Sequence, residues 1–455
     1  MLVSTSNGAG GASAARASLP PRTPLVLAAL WLTVFTSASQ TIIVTPILPV
    51  IGEALGVAPG RLGWLVSAYA WVLAAAALVM GPISDRIGRR RVLLVGSGTL
   101  AVALGLHAFA DTFGLLVAMR VLAGVGGGML SGAAVSFVGD FVPYERRGWA
   151  TGWVMSGVPA GLVLGIPLGR MLAVVLGYKA PFVAFAAPMV LAFAFVAALV
   201  PQPDVARAER PTVRGALARY GAFLHRPGPA AATVVYFLMF LSLGLLVVYL
   251  PQWLTERFPL ALTWQGRPLT VAGLPLDFIA TLFFAGGLAS VAVGPRAGAL
   301  SDRIGRRPLI LASCLGLAVV TGAITYAVVD RWAAYALYVA IMGLFALRMT
   351  PLQALLTALV PDTERGAFLA MTIAVGQVGT GLGATFGGAL YAGPGYRTST
   401  LVAGALMVVI AWIVWRWLPE PEGLDAGAAD APEEDAAQPV AVGDAIARDL
   451  VAADR

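Results

Sequence analysis

The 455-residue chain holds one cysteine and two histidines. Cys314 lies in an apolar run, so neither a disulfide framework nor a cysteine metal site can form within the chain. His107 and His225 are far apart, which argues against a histidine metal centre. Charge is scarce as well. Charged residues make up 12% of the chain, against about 25% in a soluble domain. With 59% hydrophobic residues and a mean hydropathy of +0.84, the chain lacks the polar surface of a soluble protein. No phosphate-binding loop, metal cluster or nucleophile constellation is present, which argues against an enzyme and against a bound cofactor. The formal net charge of +7 is not a nucleic-acid footprint. The arginines sit in short segments between apolar runs, where membrane topology accounts for them.

What the chain has in abundance is apolar runs of spanning length. About 20 apolar residues cross a bilayer. On that rule, helices are predicted near 25–51, 62–83, 92–110, 113–138, 149–171 and 181–200. Six more follow near 230–250, 274–295, 308–329, 332–358, 366–392 and 399–418. The first run exceeds the 7–15 apolar residues of a signal peptide and reads as a retained helix. Residues 1–23 read as a disordered N-terminus and 24–200 as a six-helix bundle. The Arg- and Pro-rich stretch 201–229 reads as a linker, 230–418 as a second six-helix bundle, and 419–455 as a disordered acidic tail. The fold class is all-α: twelve transmembrane helices in two six-helix pseudo-symmetric bundles. Assigning the N-terminus to the inside places 19 arginines in the inner segments and six Lys or Arg in the outer loops. That bias predicts cytoplasmic N- and C-termini and a multi-pass protein of the cell inner membrane.

One stretch occurs twice. Gly81-Pro-Ile-Ser-Asp85-Arg86-Ile-Gly88-Arg89-Arg90 follows helix 2, and Gly298-Ala-Leu-Ser-Asp302-Arg303-Ile-Gly305-Arg306-Arg307 follows helix 8, a shift of 217 from Asp85 to Asp302. Val142-Pro143 and Arg147-Gly148 return as Val360-Pro361 and Arg365-Gly366 at a shift of 218. Gly161, Gly165 and Gly169 return as Gly379, Gly383 and Gly387, also at 218. Three features at nearly one offset make the halves structural copies, and parallel six-helix repeats are a transporter architecture.

These residues resemble the loop signature of the major facilitator superfamily, Gly-x-Leu-x-Asp-Arg-x-Gly-Arg-Arg/Lys; the first copy departs at Ile83. The resemblance covers all twelve helices and points to the drug- or sugar-efflux antiporter branch. It implies that the loop of Asp85 packs near Thr363, Glu364 and Arg365, with Arg86, Arg89 and Arg90 pairing with Glu364 or Asp362. By symmetry, Asp302, Arg303, Arg306 and Arg307 would serve the start of helix 5 near Glu145. Such contacts latch the outward-open state, since a carboxylate at a helix N-terminus is favourable. The competing reading makes the arginines topology anchors only, which leaves the carboxylates unexplained. Gly88 and Gly305 allow a tight turn. Asp85→Asn is expected to impair transport without affecting insertion; normal transport kinetics in that variant would reject the latch.

Gly161, Gly165, Pro167 and Gly169 in helix 5 resemble the exporter-associated motif Gly-x-x-x-Gly-Pro-x-x-Gly-Gly, with the proline displaced and the final glycine pair missing. Glycines four apart also serve plain helix packing. Arg120 in helix 4 matches the family's Leu-x-x-x-Arg-x-x-x-Gly pattern from Leu116 to Gly124, which implies proton coupling or substrate binding. Arg348 in helix 10 has no counterpart at the repeat offset. A mid-span charge costs at least about 2.5–3.5 kcal/mol, so it faces a cavity or a partner; a structural arginine bonded to freed carbonyls is the alternative. No Asp or Glu lies in the middle of a predicted span, and Asp277 at the outer end of helix 8 is the nearest acid. It reads either as a proton carrier or as a helix cap. The resemblance implies a pathway lined by helices 1, 4, 7 and 10, with Gln40, Thr41, Arg120, Tyr236, Met239, Phe240 and Arg348 as candidates. Tyr and Met at helical spacing are otherwise core.

The reading is a monomeric secondary transporter, in contact with the lipid bilayer, working by alternating access. It expels a small organic solute using the proton gradient. The alternatives are an uptake symporter or facilitator for a solute that is anionic in one version, and a non-transporting receptor or scaffold. A tail of roughly 35 residues is short for a signalling domain.

Overall fold

The computed structural model describes residues 22–143, 146–202, 212–264, 267–271, 273–361 and 363–418, apart from the side chains of Asp85, Val213, Trp264 and Leu274. Almost all of segment 1–23, the whole of 419–455, and Glu145 and Asp362 therefore lie outside the described residues.

Twelve helices are long and apolar enough to cross a membrane. Spans 1 to 6 are Thr23–Ile42, Pro59–Ser84, Arg89–Phe109, Phe113–Phe141, Arg147–Leu176 and Ala180–Leu199. Spans 7 to 12 are Pro227–Thr255, Phe278–Ile304, Arg306–Ala327, Arg331–Ala358, Arg365–Ala392 and Tyr396–Trp417. An even number of spans brings Thr23 and Trp417 to one face, called here the terminal face. Large apolar side chains such as Val102, Leu164, Val319 and Phe386 point outward. In water such a surface invites aggregation, and in lipid it needs no partner. A bilayer demands that backbone polar groups be satisfied within the protein, and helical hydrogen bonding does this along most of each span.

Three details depart from plain rods. Span 1 breaks at Ile43 and continues as Val44–Leu55, where Pro46 and Pro49 withhold backbone donors. Span 4 breaks at Ser131–Gly132, with Gly132 at φ 77°. The linker contains a helix, Val213–Leu224, whose Thr212 side chain accepts from the Gly215 amide at 3.0 Å. That helix docks on spans 2, 7 and 11. Phe223 is its buried anchor, 5.2 Å from the Phe368 ring, and the Tyr220 hydroxyl donates to the Leu78 carbonyl at 3.4 Å. The only strands among the described residues are two short hairpins between spans 7 and 8, Thr263–Trp264 with Arg267–Pro268 and Thr270–Val271 with Leu274–Pro275.

The halves meet along two seams, span 2 on span 11 and span 5 on span 8. Both seams are tight on the face opposite the termini. There Ser67 Oγ donates to the Gly381 carbonyl at 2.6 Å and lies 2.8 Å from Thr385 Oγ1. The Gly63 amide donates to the Tyr249 hydroxyl at 2.9 Å. On the terminal face a cavity of about 420 Å³ separates spans 2 and 4 from the start of span 11, and the linker helix forms one of its walls. The molecule is therefore shut on one face and open on the other.

Candidate functional site

The repeated stretch forms the turns between spans 2 and 3 and between spans 8 and 9. Gly88 and Gly305 sit at φ 98° and 91°, a region that L side chains avoid. The arginine contacts seen among the described residues lie inside their own halves. Arg90 Nη2 donates to the Ala197 carbonyl at 2.7 Å, and Arg307 Nη2 donates to the Trp415 carbonyl. These are the same contact at the repeat offset, and they tie span 3 to span 6 and span 9 to span 12. Arg89 pairs with Asp140 at 3.1 Å and donates to Ser84 Oγ at 3.1 Å. The second copy has Ala358 where the first has Asp140, so Arg306 donates instead to the Ala354 carbonyl at 3.3 Å. Glu364 is held by Arg226, at 2.6 and 3.4 Å, and not by the expected Arg89 or Arg90. The reason is geometric: the halves stand apart on this face. The carboxylate of Asp85 lies outside the described residues. Gly81 borders the cavity, and Gly298 lies against Thr350. Asp302 and Arg303 lie in the last turn of span 8.

The glycine face of span 5 packs on span 1. A Cβ at Gly157 would lie 2.9 Å from the Trp31 carbonyl oxygen, at Gly161 2.8 Å from that of Phe35, and at Gly165 2.6 Å from Ser39 Oγ; at Gly169 it would meet Ile43. Two rows spaced by four residues thus mesh, and the helices touch backbone to backbone. Residues Gly161–Gly165 form a π turn, with Pro167 opening the next segment. Inserted turns of this kind bend helices. Gly379 and Gly383 repeat the arrangement in span 11, against Phe237 and Leu241 of span 7.

Arg120 is fully buried between spans 1, 2 and 4. Its Nε donates to the Leu65 carbonyl at 3.3 Å and its Nη1 to the Gln40 carbonyl at 3.2 Å. The guanidinium lies 4.2 Å from the centre of the Tyr69 ring, and the Tyr69 hydroxyl is 3.1 Å from Thr41 Oγ1. Three buried polar atoms here have no partner among the described residues: Arg120 Nη2 and both side-chain atoms of the Gln40 amide. Each such atom costs about 1–3 kcal/mol when left unmade. Gln40, Thr41 and Arg120 therefore come together, as one polar cluster in the first half.

Arg348 stands apart from them. It is buried, and its Nη1 lies 2.8 Å from Met407 Sδ and 3.6 Å from Cys314 Sγ, on spans 12 and 9. It points into the second half and not into the space between the halves. The rings of Tyr236 and Phe240 lie tilted at 31° with centres 5.0 Å apart, and Met239 is fully buried. Tyr236 also lines an opening of about 410 Å³ with Thr350, Gln353 and Thr372. Gln353 escaped the sequence reading, although it is an amide inside an apolar span.

The other residue missed is Arg170. It follows Gly169, in the place of the exporter motif's last glycine. Its Nε lies 2.6 Å from Asp277 Oδ2, and both side chains are buried. Asp277 also caps span 8, accepting from the Ala280 amide at 2.6 Å through Oδ1. The cap and the ion pair coexist on one carboxylate.

Two repeated six-helix halves, shut at one face and open at the other around buried polar clusters, define a membrane transporter. The sequence pattern of the Major Facilitator Superfamily matches residues 30–275 and 269–451. The chain belongs to that family, whose members transport solutes and are not enzymes. It is 25% identical over 396 residues to the multidrug resistance protein MdtG of Proteus mirabilis, covering 85% of this chain and 95% of that one. It is 40% identical over 119 residues to the multidrug efflux pump LfrA of Mycolicibacterium smegmatis, but this spans only 26% of the chain and 24% of the pump. A match to the uncharacterized transporter YceJ of Bacillus subtilis spans 63% of that protein. Among solved structures, a D-xylose-proton symporter superposes with a TM-score of 0.70 at 16% identity, over 87% of this chain and 98% of that one. At that identity the likeness is one of fold.

Proposed function

We propose that the protein expels a small organic solute, drug-like or sugar-like, in exchange for protons, by alternating access. The observation that carries this reading is the glycine face of span 5 on span 1, which follows the exporter-type spacing through Gly161, Gly165 and Gly169. Similarity to MdtG along nearly the whole chain supports it. In this reading the terminal face is cytoplasmic, the membrane is the cell inner membrane, the unit is a monomer, and the structure is the inward-open state. The motif around Asp85 and Asp302 re-forms its latch across the halves when that face closes. The cluster of Gln40, Thr41 and Arg120 and the wall of Tyr236, Met239 and Phe240 bind the solute or the coupled proton. Asp277 is the nearest acid for proton exchange. Arg348 serves the second half from within.

Flux in inverted vesicles under an imposed pH gradient tests the reading. Uptake of a drug-like solute into vesicles that are acid inside is expected, with collapse when the gradient is dissipated. Gradient-independent flux instead supports the facilitator reading, which the lack of a mid-span acid favours.

A further inference from the structure

The two seams between the halves are equivalent by the repeat, yet they are built differently. At a shift of 217, Asp277 corresponds to Gly60; at 218, Arg170 corresponds to Gly388. Gly60 and Gly388 do meet in the seam of spans 2 and 11. A Cβ on Gly60 would lie 3.0 Å from the Gly388 carbonyl oxygen, and one on Gly388 would run into the Gly60 carbonyl. That seam closes backbone on backbone. In the equivalent place of the other seam stands an ion pair, Arg170 with Asp277, on spans 5 and 8.

We propose that the Arg170–Asp277 pair is the lock that holds the face opposite the termini shut. Arg170 ties three elements at once: it reaches Asp277 at 2.6 Å and also donates to the Pro46 carbonyl at 2.8 Å, in the bent continuation of span 1. Asp277 is the only buried acid among the described residues. Among those residues neither charge has another ionic partner. The face therefore cannot open without separating the two, and a buried charge that loses its partner is strongly disfavoured. The pair also stands where it can be released. Arg170 borders an opening of about 320 Å³ on this face, beside Glu53 and Gln252. The other seam closes on glycines and neutral hydrogen bonds such as those of Ser67 and Tyr249, so closure does not require charges here. Charges make the closed state conditional. Arg170 is thus a positioning residue that acts through Asp277, and its role is the same for either direction of flux.

Asp277→Asn is the primary test, because asparagine keeps the cap on span 8 and removes the charge. Arg170→Met is the second. Both are placed in a Cys314→Ser background carrying spin labels at Leu176→Cys and Val329→Cys, exposed positions on different halves. Electron-electron distances are measured without substrate or gradient, so the outcome does not depend on the proposed efflux. Each variant is expected to raise the ratio of long to short distances about tenfold, with the double variant doing no more than either single one. A second label pair within the first half, Leu106→Cys and Leu176→Cys, should stay unchanged, showing that the half itself is intact. If Arg170→Met disturbs that pair, Asp277→Asn alone decides between lock and no lock. Unchanged distances between the halves, or effects that add in the double variant, would overturn the lock.

Discussion

Gly63→Val is expected to abolish transport while leaving both halves folded. Gly63 sits where span 2 crosses span 11, and its amide donates to the Tyr249 hydroxyl at 2.9 Å. A Cβ there would lie 2.5 Å from that hydroxyl and closer still to the Ala384 carbonyl. Both neighbours belong to the other half, so the clash exists only while this face is closed. Overpacking costs about 1–3 kcal/mol, and here the cost falls on one state of the cycle alone. A penalty of that size moves a two-state equilibrium by roughly 5- to 150-fold, which strands the protein with the terminal face shut. Gly383→Val is the contrast. Its Cβ would meet the Leu241 carbonyl, with Gly244 Cα at 2.9 Å and the Leu245 amide at 3.0 Å, all within the second half. That clash persists in every state, so Gly383→Val is expected to fail in folding and yield little monodisperse protein. Measuring transport and thermal unfolding side by side separates the two. Normal transport by Gly63→Val would mean that this seam need not close during the cycle.

The glycines show how much of the molecule the sequence carries openly. A spacing of four at a repeat offset of 218 identifies the contact faces of spans 5 and 11, because only the backbone approach demands it. The twelve spans, the two halves and the tight turns at Gly88 and Gly305 were legible for the same reason: each has a local chemical signature. The direction in which Arg348 points was not. Span 10 is apolar nearly all round, so no polar face marks its orientation, and only the fold shows Met407 and Cys314 beside the guanidinium. Arg170 was passed over because it follows a motif glycine inside a span, where a count of loop charges does not look. Its signal was the repeat itself: aligned at the offset, a charged pair faces a pair of glycines. The linker helix was hidden among prolines and arginines, since its helical face is defined by docking on spans 2, 7 and 11.

Arg120→Met is expected to cut transport about 10- to 150-fold, the loss of one or two charge-assisted hydrogen bonds to a solute or coupled ion. Fold stability should change little. The two readings of this arginine predict opposite outcomes. If it serves only to satisfy the carbonyls of Gln40 and Leu65, its removal strands those acceptors and the ring of Tyr69, and stability falls while the chemistry of transport is untouched. The geometry argues for function. The hydrogen bonds to those carbonyls are long, at 3.2 and 3.3 Å. The Leu65 carbonyl lies inside the continuous helix of span 2, whereas that of Gln40 lies beside the break at Ile43, and no carboxylate offsets the buried charge among the described residues. Removing a buried charge returns a desolvation cost of several kcal/mol, which offsets the lost contacts. Methionine fills a similar length without asking for a partner. The unpaired Nη2 and the unpaired amide of Gln40 lie in the same cluster, so Gln40→Leu should weaken transport in the same sense and show a smaller effect in the Arg120→Met background than alone. That non-additivity is the decisive reading of the cycle. Full additivity, or normal transport with lowered stability, would assign Arg120 to the scaffold.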